Sequence, residues 1–300
     1  MINNNCRIRT NNTAPSRCSI DLGLYRKVLV IPKTAYYTEL DAQGQPQTFA
    51  EWIDNGIHAA KPENRFYPMP NFENCEDNTE DRVVYTSGYG TTTPLRDGNF
   101  AFTQNFRPDS CLNKKLLAFN NQSFRVIIFD NENNAQVIRT AKGITGSLAN
   151  IYISQPKANT ATEISEPQIV YSFLDSNEQR LREVIPTDLT WGELKGLEDF
   201  QMNVIKDGAN YIITFTVACS GDDVTGEIRQ LSTVSNAWLQ QTGTAAPVPM
   251  TNVPTFDAVK GVFTVTGLSA GTKIGLANPF VLFQNNVSNV DCPDMVVVPA

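Results

Sequence analysis

A single histidine in 300 residues, His58, leaves little room for imidazole chemistry. Acyl-transfer triads and His-rich metal sites need that group in company with others, and here it has no second copy. In Gly56-Ile57-His58-Ala59 it is read as a helix-end or surface residue. Also missing are a Gly-x-Ser-x-Gly elbow, a His-Glu-x-x-His pair and a phosphate loop closed by Gly-Lys-Ser or Gly-Lys-Thr. Long hydrophobic runs are absent too. Val28 to Ile31 and Met295 to Val298 are strand-length, against the roughly 20 residues a membrane helix needs, so no membrane partner is expected. The start, MINNNCRIRTNNTAPSRC, is polar with no apolar h-region, and no secretory leader is expected. The six cysteines (6, 18, 75, 111, 219 and 292) show no Cys-x-x-Cys spacing and are expected as free, mostly buried thiols of a reducing compartment. Basic charge is short as well. Against 31 Asp and Glu stand 24 Lys and Arg, a net charge of -7, which argues against a protein that grips nucleic acid.

What the chain does have is β-strand texture. The run LYRKVLVIPKTAYY is β-branched and aromatic, and FRVIIFD, QIVYSFL and GVFTVTG repeat the pattern. Phe49, Trp52, Ile53 and Ile57 fall at helical spacing behind Thr48 as N-cap, which gives one short amphipathic helix. Residues 200 to 219 read as an antiparallel hairpin turned at Asp207-Gly208. Glycine-rich Ser87-Gly88-Tyr89-Gly90-Thr91 runs into Thr-Thr-Thr-Pro without a lysine, so it is read as a hairpin-like connection and not as a nucleotide loop, with a tight turn expected at Asp97-Gly98. The segment from Lys61 to Arg82 is expected as a long exposed loop. Asp130-Asn131-Glu132-Asn133-Asn134 and Ser220-Gly221-Asp222-Asp223 are oxygen-rich, yet they are read as turns and not as calcium sites. Nine aromatic residues, Tyr36, Tyr37, Trp52, Tyr67, Tyr85, Tyr89, Tyr171, Trp191 and Trp238, would make a sugar platform only if several faced outward together.

The fold expected is mainly β: a β-sandwich or barrel core with short helices and long loops. It is divided into an amino-terminal arm over 1–24, a first β domain over 25–158 and a second β region over 159–300, with linker-like QPKANTATEISE between the two. No catalytic, cofactor-binding or metal-ligating residue is assigned, and neither enzymatic activity nor a cofactor is expected.

The succession TSGYGTTTPLRDGNFAFTQNF, FRVIIFDNENNAQVIRTAKGITGS and DFQMNVIKDGANYIITFTVACSG resembles structural proteins of tailed bacteriophages, most closely tail tube proteins of phages infecting Bacteroides-like hosts. That resemblance implies a virion protein made in the host bacterial cytoplasm. It implies subunits that close into rings by sheet extension and stack into a tube, with other virion proteins as partners and DNA as non-specific passing cargo. It assigns the arm and the 61–82 loop to contacts between rings. An acidic inner wall would repel phosphate, and Asp130 to Glu132 and Asp222-Asp223 are its candidate lining. Tube proteins are often shorter, so residues beyond about 190 are expected as a second tube-like unit or an added outer domain. The other reading is a carbohydrate- or receptor-binding β module: a tail fibre, a capsid decoration or a lectin-like domain.

Overall fold

A computed structural model describes residues 23–155 and 166–299. Apart from its last two residues, the arm over 1–24 lies outside the described residues. The chain is mainly β and divides into two compact units. The first runs to Lys195 without 55–62; the second comprises Gly196–Ala300 with 55–62. The division at 195/196 comes later than the composition break near 158, because two strands beyond that break return to the first sheet.

In the first unit, β1 (Tyr25–Ile31) has Val28, Leu29, Val30 and Ile31 all fully buried. A strand apolar on consecutive positions buries both of its faces, since neighbouring side chains point opposite ways. It pairs antiparallel with β7 (Gln122–Asp130), where Val126, Ile127, Ile128 and Phe129 repeat the pattern. Between them in sequence lie helix α1 (Phe49–Ile57) and strands β2 (Tyr67–Pro68), β3 (Asn74–Asp77), β4 (Val83–Thr86), β5 (Thr92–Arg96) and β6 (Ala101–Asn105), then helix α2 (Ser110–Leu116). After β7 follow β8 (Asn134–Thr140), β9 (Gly143–Thr145), β10 (Ser147–Ile153), β11 (Gln168–Phe173), the short helix α3 (Ser176–Arg180) and β12 (Arg182–Pro186). Ten of these strands form one sheet in the order β12-β8-β7-β10-β11-β6-β3, with β1 and β2 on the other flank of β7 and β9 beside β8. Val28, Val30, Val126 and Ile128 join Phe102, Phe106, Ile151 and Tyr171 in one core. Buried Tyr171 donates to Gln104 Oε1, and Gln104 donates on to the Pro70 carbonyl, so both of these side chains are partnered inside the core.

Helix α1 starts as its sequence requires. Thr48 Oγ1 accepts from the Glu51 N–H while Glu51 accepts from the Thr48 N–H, a reciprocal capping box. The 61–82 segment is less loop-like than expected, because it contains β2 and β3. Asp130 also departs from its expected place on a solvated turn. It is fully buried, and its carboxylate accepts from the backbone N–H groups of Gly23, Glu132 and Asn134 and from Asn134 Nδ2. A side chain with four donors to satisfy is an internal tie for the β7–β8 turn and cannot line a surface.

The second unit has a five-stranded sheet, β17-β18-β14-β13-β20, and a four-stranded one, β16-β15-β19-β21. Their strands are β13 (Glu198–Asp207), β14 (Asn210–Val217), β15 (Trp238–Gln241), β16 (Val248–Pro249), β17 (Thr255–Asp257), β18 (Val262–Thr266), β19 (Lys273–Leu276), β20 (Val290–Asp291) and β21 (Val296–Val297), with helix α4 (Pro279–Gln284) before β20. Phe215 and Phe263 from one sheet and Trp238 from the other meet at 5.3–6.0 Å between ring centres, which makes the pair a sandwich over a single core. The hairpin expected over 200–219 is β13 and β14, with Asp207 opposite Asn210 and Gly208 at φ +61° supplying the left-handed turn residue.

Cysteine chemistry is a correction. Cys111 and Cys219 are each disulfide-bonded, while Cys75 is an exposed thiol and Cys292 a buried one. Pairing depends on which chain segments meet in space, and scattered spacing does not encode that. Burial, and then the nearby Asp291 and Asp294, pushes the Cys292 thiol up to about 12. Alkylation without reductant should therefore label Cys75 in the native protein, Cys292 only after unfolding, and Cys111 and Cys219 only after reduction. Peptide mass mapping reads all four, and labelling of Cys111 or Cys219 in unreduced, unfolded protein would contradict the bonded state.

Candidate assembly site: a projecting β-ribbon

Strands β3 and β6 pair with Asn74 opposite Asn105 and Asp77 opposite Phe102. The same register continues past their ends. The Asn78 N–H donates to the Ala101 carbonyl and the Glu80 N–H to the Asn99 carbonyl, and Val83 stands opposite Arg96. One residue of slippage between Val83 and Val84 then leads into β4 and β5, where Val84 faces Pro94 and Thr86 faces Thr92. Residues 74–105 are therefore one long two-stranded ribbon with a bulge. Its inner half belongs to the main sheet through β6 on β11; among the described residues its outer half pairs only with itself. From Asp81 to Ser87 the ribbon advances about 20 Å at about 3.3 Å per residue.

All nine residues of β4 and β5 are exposed. Tyr89 at the tip is 100% exposed, Leu95 66% and Tyr85 59%, with Val83 and Val84 beside them. An isolated two-stranded ribbon is marginal in water, and apolar side chains on both its faces gain nothing there. The glycine-rich tip closes on itself. Ser87 and Thr91 exchange hydrogen bonds and the Gly90 N–H donates to the Ser87 carbonyl, so those amides do not converge on an anion. Asp97-Gly98 is not the turn its sequence suggested. It lies in the ribbon's second strand, where a Cβ on Gly98 would stand 1.7 Å from the Glu80 carbonyl oxygen.

The base of the ribbon is braced by charge. Asp97 accepts from Arg82 at 2.8 Å and from Arg180, the last residue of α3. Glu80 accepts from the Asn99 N–H and from Arg96 at 3.2 Å. Helix α3 is itself fixed, for Glu178 accepts from the Leu148 N–H and pairs with Arg125 at 3.3 Å. Arg180, and after it Arg82, holds the Asp97 carboxyl below the usual range; the Asn99 N–H, and then Arg96, does the same for Glu80.

Elsewhere the chemistry-bearing residues are internal or dispersed. His58 is a helix-end residue but not a surface one: it is 4% exposed, stacks 4.1 Å from the Phe283 ring, and its Nε2 accepts from the Asn289 N–H. Asp222 and Asp223 are exposed, with Asp223 capping Thr225. Among the described residues no group of three or more His, Cys, Asp or Glu could hold a metal ion. The nine aromatics do not form one platform. Tyr37, Tyr171 and Trp238 are core residues, and Trp52 packs on Phe66, Tyr67 on Phe119. Tyr36 carries Arg125 and Lys142, Trp191 carries Arg26, and only Tyr85 and Tyr89 stand largely free, on the ribbon. Lys27, 9% exposed, donates to Asn71 Oδ1, and burial pushes its ammonium down to about 8. Composition flags none of these placements; the ribbon's exposure could have been suspected from Tyr85, Tyr89 and Leu95 lying amid threonines and glycines.

No family model, curated protein or solved structure matches the chain.

Two outcomes follow from the charged groups. Asp97→Asn should speed amide exchange in residues 81–97 several-fold while leaving the global unfolding midpoint close to that of wild type, since exposed ion pairs carry little stability. Because both brace carboxyls have lowered values, wild type should show the same loosening as pH falls below about 4, and not at higher pH; exchange in 81–97 that ignores the substitution would remove the brace. Lys27 is lowered on folding, so the unfolded chain binds the extra proton between about 8 and about 10.5, and stability should rise with pH across that window. Lys27→Met should flatten that rise in denaturant titrations.

Proposed function

We propose that this chain is a structural protein of a bacteriophage virion, a tail tube subunit that assembles with copies of itself into stacked rings through which DNA passes. The observation that carries the reading is the ribbon. A rigidly based arm, apolar at its end and open along its edges, is poorly suited to a protein that stays alone, because unpaired strand edges recruit other strands. The outer part of the ribbon also falls in one of the three stretches that carry the resemblance to tail tube proteins. The acidic balance suits a wall that phosphate does not adhere to, with Glu132, Asp222 and Asp223 as the exposed members of the lining set; buried Asp130 drops out of it.

The bonded state of Cys111 and Cys219 bears on where the protein works. Disulfides persist outside reducing cytoplasm. A subunit made in the host cytoplasm and carried in a particle that leaves the cell meets both conditions in turn. A carbohydrate-binding module draws less support, since the aromatic side chains that would form a platform are spent on cores and on cation contacts.

Light scattering and negative-stain microscopy of the purified chain over a range of concentrations test the reading. Rings or tubes should grow with concentration. A variant in which 82–97 is replaced by a short turn should keep its circular dichroism and remain monomeric; a wild-type chain that stays monomeric throughout would end the assembly reading.

A further inference from the structure

Residues 55–62 belong to the second unit although the chain on either side of them belongs to the first. His58, the only histidine in the sequence, lies within that inserted stretch. It is buried, and its ring stacks on that of Phe283 in α4 at 4.1 Å with an interplanar angle of 7°. Its Nε2 accepts the Asn289 N–H at 3.2 Å. Asn289 is held from its other side as well, since its carbonyl accepts the Glu198 N–H where β20 begins its parallel pairing with β13. The corner is tightly turned. Asn286 and Asn289 both sit at positive φ, +62° and +63°, and Val287 between them and Val290 after them are buried in the core of the unit.

An imidazole nitrogen that accepts a hydrogen bond carries no proton. While His58 holds the Asn289 N–H, the proton of its neutral ring is on Nδ1, and the next one taken from solvent must go to Nε2. Two N–H groups then face each other where one bond had been, and a buried donor loses its acceptor. A free imidazole takes that proton near pH about 6.5, which no other unperturbed side chain does. The charged groups on the elements around the ring set how readily it arrives. On its own stretch of chain these are Asp54 before it and Lys61 and Glu63 after it; α4 and the 285–289 turn carry none; β20 contributes Asp291, and β13 contributes Glu198 and Asp199. Burial opposes the charged ring, whereas the surplus of carboxylates favours it, which keeps protonation within reach of the folded unit.

We infer that His58 is a proton-operated latch: neutral, it ties the inserted 55–62 stretch to the corner that starts β20; protonated, it lets go of that corner. The control is local, because the ladders of β13 with β14 and of β14 with β18 are made by backbone groups that do not titrate. It answers to mild acid, at a pH where the braces of the ribbon are still fully ionised.

NMR and hydrogen exchange on the full chain test the latch, since a sole histidine gives ring signals that need no assignment. As pH falls from about 7.5 to about 5.5 the ring should titrate, and exchange of the Asn289 and Glu198 amides, corrected for its intrinsic pH dependence, should rise about tenfold with the same midpoint. Amides of β14 and β18 should not change. His58→Gln, which offers a neutral acceptor that takes no proton, should abolish the rise, and Asp291→Asn should keep it. A ring that titrates without any change at Asn289, or that does not titrate before the unit unfolds, would overturn the latch. So would a full response in His58→Gln, or its loss in Asp291→Asn, which would assign the transition to a carboxylate. The wild-type measurements decide the matter even where a variant fails to fold.

Discussion

Everything in the first unit depends on the hydrogen-bonded ladder around β7. Its outer flank pairs with β1 from Arg125 to Asp130, and its other flank holds β10 at one end and β8 at the other. Because β1 and β7 are apolar on successive residues, both of their faces must be covered, and the rest of the sheet bends around them to do it. Each fully buried apolar side chain there contributes about 1.5–3 kcal/mol, and the eight such residues of Val28–Ile31 and Val126–Phe129 therefore anchor the unit. The ribbon inherits its direction from this arrangement through β10, β11 and β6.

How much of this could be read from the sequence depends on range. Thr48, Glu51 and the apolar positions of α1 lie within three or four residues of one another, and β13–β14 is decided by Asp207-Gly208 and the alternation either side of it, so both elements were legible. Asp97-Gly98 carries the same turn signal and forms no turn. The competing constraint is Glu80, seventeen residues earlier, whose backbone N–H and carbonyl flank that stretch and whose closeness demands a glycine. A local motif cannot report a partner strand that arrives from outside its window.

The candidate site was half legible for a related reason. Strand, glycine-rich tip and strand are all visible in VVYTSGYGTTTPLR, but alternation says nothing about whether a strand has a sheet to lean on. Exposure of Tyr85 and Leu95 follows from where β6 stops pairing with β11, which is a fact about Ala101 and Ser172. Asp130 fails in the opposite sense. Its turn composition is that of solvent-facing hairpins, yet the Gly23 backbone reaches it across more than a hundred residues and converts it into a buried acceptor.

An exposed apolar ribbon would be a liability in a free subunit, and the sequence restrains it in three ways that do not interfere with one another. Pro94 removes a donor from one edge, the acids from Glu73 to Asp81 discourage like edges from meeting, and the Arg82–Asp97–Arg180 fork fixes the angle at which the remaining edge is presented. None of these stabilises the fold appreciably, since all sit in water where ion pairs and lone strands carry little energy. Their common effect is selectivity: they lower the number of ways in which an exposed strand edge can pair.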